Sequence, residues 1–234
     1  MNMTESQATY AVLTGDLVKS SRLPSTLSTK AMAWLKASVS TFNTVSPGSV
    51  YGSMDTFRHD SWQLLLNRPE TALRTALFFR TVLRMNSDAD IKYDTRIAIG
   101  IGEVEYIDST NISNSRGPAF TRSGKLLDSM KNSRLAWGTE HDAFPFWSTL
   151  KRTTIPLLDC LVSDWTPTES QAVNSVLTGL TQDQTAARWQ SSDGKKPTRQ
   201  AVGGSLQRAH WNTIHDVLLW TEQQIADTLN IPTE

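Results

Sequence analysis

Residues 10–13 form an unbroken apolar run that ends in Thr14, Gly15 and Asp16, the pattern of a buried strand stopping at a polar tip. After the turn-like SSRLPS, Leu27, Met32, Leu35, Val39 and Phe42 recur at near-helical spacing, which predicts a helix over 26–42 with Ser25 as its N-cap. SVYGSMDTFRHDSWQLLL alternates well enough for two strands, a hairpin with the charged cluster 55–60 at its connection. Pro69 opens a second helix, with Leu73, Leu77, Phe78, Val82 and Met85 as the inner stripe and Arg74, Arg80 and Arg84 on the outer face. TRIAIGIG, residues 95–102, reads as an apolar strand whose Gly100 and Gly102 let something approach the backbone closely. Pro118 starts a third helix through Phe120, Leu126, Leu127 and Met130. Strand, helix, hairpin, helix, strand, helix is the order of an α/β layer with helices packed on one sheet.

From Phe144 the pattern changes to connectors rich in Trp and Pro (AFPFW, DWTPTE) followed by mostly helical stretches, so the expected domains are 8–143 and 144–234. Helical stretches at 168–177, 181–189 and from 198 onward, separated by Gly179 and by SSDGKKP, have helix-turn-helix spacing over 166–212. Leu206, Trp211, Ile214, Val217, Leu218, Thr221, Ile225 and Leu229 then continue as a long amphipathic terminal helix, which either returns to the first domain or pairs with another chain.

Composition narrows the class. Apolar residues at 38 %, charged residues at 20 % and a mean hydropathy of −0.34 describe a chain able to bury a core, and exclude disordered and collagen-like classes. The 23 basic residues match 23 acidic ones, so any polyanionic partner has to be met by a local patch. The single cysteine, Cys160 in IPLLDCLV, excludes an internal disulfide and reads as a buried structural thiol. With no signal-peptide pattern at the start and no run near the roughly 20 apolar residues of a membrane span, a cytoplasmic protein without a membrane partner is expected.

Three separated segments bring polar groups to one expected edge of the sheet: GDLVKS at 15–20, HDSWQ at 59–63, and RIAIGIG at 96–102 followed by GPAF at 117–120. Carboxylates at a strand end and on a neighbouring hairpin, Asp16 and Asp60, can share one or two Mg²⁺ or Mn²⁺ ions that hold phosphate oxygens. The plainer reading has Asp16 capping a turn and Asp60 pairing with Arg58 or Arg96.

These three segments resemble the SatD family, small bacterial proteins of poorly defined role. They are also similar to the class III nucleotide cyclases, whose ferredoxin-like palm carries D-I-V-G-S/F-T, K-x-x-G-D and R-I-G-I-x-x-G. The resemblance covers about residues 8–137 and implies a palm-like α/β domain, with Asp16 and Asp60 as metal-binding aspartates. It further implies a nucleotide or phosphate-bearing ligand held by Ser20, Gln63, Arg96, Thr121 and Lys125. The departures matter: the base-reading lysine is replaced by Thr56, and the pattern G-D-x-V-N-x-A-x-R becomes GPAFTRSGK, with Pro118, Thr121 and Lys125 at the acid, asparagine and arginine positions. Lysine for arginine removes a planar fork but keeps a cation for phosphate. Ligand binding is therefore expected to outlive turnover.

The segment from Trp165 resembles the helix-turn-helix modules of sigma-factor and LuxR-type regulators, with Ala186 facing the core and residues 198–210 as recognition helix. On that resemblance Lys195, Lys196, Thr198, Arg199, Gln200, Gln207 and Arg208 would meet double-stranded DNA. Residues 188–210 hold five basic groups against Asp193, yet 160–234 as a whole hold five basic and eight acidic ones. Gly203 and Gly204 weaken a recognition helix, each by roughly 1 kcal/mol against alanine. His210 and His215, five apart, do not align as a metal pair on one helix face. The tryptophans at 137, 147, 165, 189, 211 and 220 read as packing residues.

The sequence thus points to an α/β palm followed by an all-α helix-turn-helix domain, a regulatory protein coupling a phosphate ligand to DNA and expected as a homodimer. A metal-dependent nucleotidyl cyclase or transferase and a non-catalytic interaction module are the alternatives.

Overall fold

A computed structural model describes residues 8–142, 144–189 and 194–229. Asp193, counted above against the basic cluster, lies outside them with Ser191 and Ser192 of the SSDGKKP break. Among the described residues five strands form one sheet in the order β2-β3-β1-β4-β5. They are β1 (Thr9–Leu17), β2 (Val50–Phe57), β3 (Ser61–Leu66), β4 (Thr95–Glu103) and β5 (Leu135–Gly138). Helices α1 (Ser25–Val45), α2 (Ala72–Arg84) and α3 (Pro118–Ser129) make the crossovers. β1 runs antiparallel to both β3 and β4, with Asp16 opposite Ser61 on one side and Arg96 on the other. Two split β-α-β units therefore interlock, β3 lying between β1 and β2 and β1 between β3 and β4, which is the ferredoxin-like topology.

The period of two along β1 separates the layers. Ala11, Leu13 and Leu17 join α1 and α2 in the main core, whereas Val12 lies with Ala119 and Phe120 of α3 on the other face. Gly100 makes the α3 packing close, since a Cβ there would stand 2.4 Å from the Ala119 carbonyl oxygen and 2.7 Å from the Ser123 nitrogen. The approach expected over the glycines of TRIAIGIG is thus made by α3 itself.

The remaining helices are α4 (Pro145–Thr149), α5 (Ile155–Ser163), α6 (Pro167–Leu177), α7 (Gln182–Ala187), α8 (Arg199–Arg208) and α9 (Trp211–Leu229). A π-helical turn, Leu150–Thr154, joins α4 to α5. Their apolar faces, including Trp147, Val173, Val202 and Leu218, continue the palm's main core without a break. Each such fully buried side chain contributes roughly 1.5–3 kcal/mol against exposure. Asn174 on α6 donates to Thr81 Oγ1 at 2.9 Å, and Arg74 on α2 grips Glu222 of α9 through two bonds of 2.6 and 2.9 Å. The terminal helix therefore returns to the palm, one of its two expected fates.

Three expectations are corrected and one strand is added. Ser25 is the first residue of α1, not its cap; Pro24 stands at the N-cap and no side chain bonds there. β5 has no counterpart in the sequence reading. Arg80, placed on an outer face, has no exposed side-chain surface, because α5 covers it and supplies Asp159 and Ser163. Cys160 is exposed rather than buried, since α5 turns Leu158 and Val162 inward instead. Of the six tryptophans read as packing residues, Trp137, Trp147, Trp165 and Trp211 are buried, while Trp220 stays 46 % exposed against Phe146. Among the described residues no helix is long and apolar enough to cross a membrane.

Candidate functional site

The end of β1 is held by backbone: Leu17 N–H donates to the Asp60 carbonyl at 2.9 Å, so the hairpin's aspartate sits beside the strand that carries Asp16. Gly15, next to Asp16 and opposite Trp62, leaves room for the Trp62 ring, for a Cβ there would lie 2.4 Å from Trp62 Cζ2. Asp16 takes both prongs of Arg96, the Nε at 2.8 Å and the Nη2 on its other oxygen, while Arg96 Nη1 donates to the Met130 carbonyl at 2.8 Å. Asp60 accepts from Ser20 Oγ at 2.5 Å and from Ser61 Oγ at 3.2 Å. Asp16, Asp60, Ser20 and Arg96 are brought together here, and the arginine pairs with Asp16 rather than with the Asp60 considered for it.

A divalent cation at Asp16 and Asp60 would have to compete with the Arg96 guanidinium for Asp16. Mg²⁺ and Mn²⁺ demand free carboxylate oxygens, and both oxygens of Asp16 are engaged by a guanidinium. Among the described residues no group of three or more His, Cys, Asp or Glu could supply a further ligand set. Gln63 is not part of the cluster. It is buried beneath α3, donating to Thr14 Oγ1 at 2.9 Å, and Thr14 in turn shares a 2.8 Å bond with Ser123 Oγ.

Thr121 and Lys125 lie elsewhere. Helical spacing turns Ala119, Phe120 and Ser123 to the sheet, so these two residues project from the far side of α3, and the single polar edge expected from the three motifs is two places. They line a concavity of about 720 Å³ at the start of α3, with Glu105, Arg116 and Arg122. Arg116 lies 5.3 Å above the ring of the half-exposed Tyr106, and Arg122 donates to the Ile101 carbonyl at 2.5 Å. The sequence pattern singles out neither arginine. A signal for Arg122 does exist in Gly102, where a Cβ would come within 2.7 Å of its Nη1. The positive end of the helix dipole at Gly117 and Pro118 reinforces the three cations.

At the helical end, Thr198 caps α8, its hydroxyl accepting from Ala201 N–H at 3.2 Å, with Gln200 and Gln207 exposed on that helix. Arg199 is largely exposed, 3.8 Å from Asp183. Arg208 is tied to Glu169 at 3.1 Å, the residue that closes the capping box of α6 with Thr166. Lys195 and Lys196 precede α8 in the connection from α7. Among the described residues, 188–189 and 194–198 already separate α7 from α8, whereas a helix-turn-helix joins its helices by about three or four residues. The tight turn falls instead between α6 and α7, where Gly179 adopts φ 79°.

No family model matches the chain, and no curated protein matches it. Among solved structures it is similar to the catalytic core of a rhodopsin-guanylyl cyclase with converted specificity in complex with ATPalphaS, at a TM-score of 0.42 and 14 % identity over 56 % of this chain and 77 % of that one. It is also similar to a bacterial light-regulated adenylyl cyclase, at a TM-score of 0.41 and 17 % identity over 58 % of this chain; the alignment spans 44 % of that protein.

Proposed function

We propose that this chain is a regulatory protein whose palm binds a nucleotide or another phosphate-bearing small molecule and whose α8 region meets double-stranded DNA. The observation that supports the first half is the concavity at the start of α3. Its size falls within the roughly 300–1,000 Å³ of small-molecule sites, and Arg116, Arg122 and Lys125 face a single carboxylate, Glu105. Arginine forks and a lysine point charge are the groups that hold phosphate oxygens, and the Thr121 hydroxyl adds a donor.

Binding without turnover is the reading favoured by Arg96. While it engages Asp16, the carboxylate pair required by the metal-dependent cyclase alternative is not available, and the cations of the α3 concavity lie on another face of the same chain. Calorimetric titration with ATP and GTP tests this. Lys125→Ala and Arg116→Ala are expected to weaken binding about tenfold each, the equivalent of roughly 1.4 kcal/mol. No heat with either nucleotide, or variants that bind like the parent, would sink the proposal. Metal-dependent release of pyrophosphate, lost on Asp60→Ala, would install the cyclase in its place.

A further inference from the structure

A second cleft opens between the palm and the helices. Its palm wall is Lys19 after β1, Arg84 at the end of α2, Lys92 before β4 and Arg134 before β5; its other wall is the α5-to-α6 connection with Asp164. The volume is about 560 Å³.

The acids that would neutralise these cations are already engaged. Asp94, in the floor, accepts from Arg80 at 3.1 and 2.8 Å, from Arg84 at 2.9 Å and from Thr95 N–H at 2.9 Å. Asp159 behind it is held by Arg80 at 2.8 Å and by the Arg134 backbone N–H at 2.7 Å. Asp164 is the one carboxylate of the lining outside this knot. Lys19 makes no ion pair among the described residues, and Lys92 meets Asp88 through space. Lys19 is exposed, and what is held is its backbone. Its backbone is fixed in a left-handed conformation, φ 55°, and Val18 N–H beside it is anchored on the Asp94 carbonyl at 2.9 Å. Positive charge in excess, focused in a recess, attracts compact polyanions.

We infer that this cleft is an anion site for a pyrophosphoryl group, with Lys19, Lys92 and Arg134 as its cations. Arg84 makes the site a junction, because it also donates to the carbonyls of Ser163, at 2.7 Å, and Trp165, which lead into α6. An anion drawing on Arg84 from the palm side acts on the connection that positions α6, and α6 packs on α8.

Calorimetry of the full chain with inorganic pyrophosphate at low salt tests the assignment. One equivalent is expected to bind. The Lys19→Ala/Lys92→Ala pair should weaken it at least tenfold and Asp164→Asn should tighten it; circular dichroism confirms folding of each variant. Displacement of pyrophosphate by ATP identifies the group as part of a nucleotide, and no displacement identifies free pyrophosphate. Absence of binding by the parent, or a double lysine variant that binds like it, overturns the inference. Loss on Lys125→Ala instead would move the anion to the α3 concavity, ending this inference while leaving the proposed function standing.

Discussion

Arg80→Met tests how the helices are locked to the palm. The guanidinium has no exposed surface and spends its donors on Asp94, Asp159 and Ser163, all within 3.1 Å. Removing it leaves two carboxylates in a buried interface, a change that costs roughly 3–5 kcal/mol when a buried pair loses one member. The expected loss is about 3 kcal/mol, at the lower end, because Asp94 keeps Arg84 and Asp159 keeps the Arg134 N–H. Urea unfolding reads it directly. Burial alone would push the Asp94 carboxyl up, but Arg80 and then Arg84 and the Thr95 N–H outweigh that and hold it below the ordinary range. A carboxylate depressed in the folded state contributes stability above its unfolded pKa, about pH 4, and that contribution fades as pH falls through the folded value. The deficit of Arg80→Met should accordingly be full at neutral pH and shrink below about pH 4. Replacing Asp159 by Leu as well, which removes an orphaned charge, should recover part of the loss. A deficit under about 1 kcal/mol, or one that does not change with pH, would refute the picture of a buried ionic lock.

Gly100→Ala should cost roughly 1–3 kcal/mol and lower the melting temperature, since its methyl has to displace backbone of α3 rather than a mobile side chain; an unchanged melt would contradict the close packing. Cys160 is expected to react with one equivalent of a maleimide in the native protein, and a thiol that labels only in denaturant would contradict its exposure on α5. Combined replacement of Lys195, Lys196 and Arg199 by alanine should weaken duplex DNA binding for all sequences alike. It should also flatten the log–log salt dependence by roughly 0.9 for each phosphate no longer neutralised. A parent protein that shifts no duplex would remove DNA from the proposed function.

Legibility in the sequence follows from what periodicity can carry. β1, α1, the hairpin, α2, β4 and α3 each have enough apolar positions to show a period, and their order specifies the interlocked sheet. β5 has only the residues LAWG and gains its identity from parallel pairing with β4, which no local pattern announces. Arg80 escapes the pattern for a related reason: a stripe separates an apolar face from a polar one, but does not tell whether the polar face meets water or the carboxylates of another layer. Those carboxylates, Asp94 and Asp159, come from a loop and from α5. The site divides along the same line. Asp16, Asp60 and Ser20 meet because strand ends and hairpins put them there, whereas Thr121 and Lys125 follow a helix whose other side is committed to the sheet. In the glycine-rich strand, Gly100 accommodates α3 and Gly102 accommodates Arg122. The motif is thus used up in holding a helix and one cation, and the case for a phosphate ligand falls to Arg116, Arg122 and Lys125, side chains that converge only after the helix has docked.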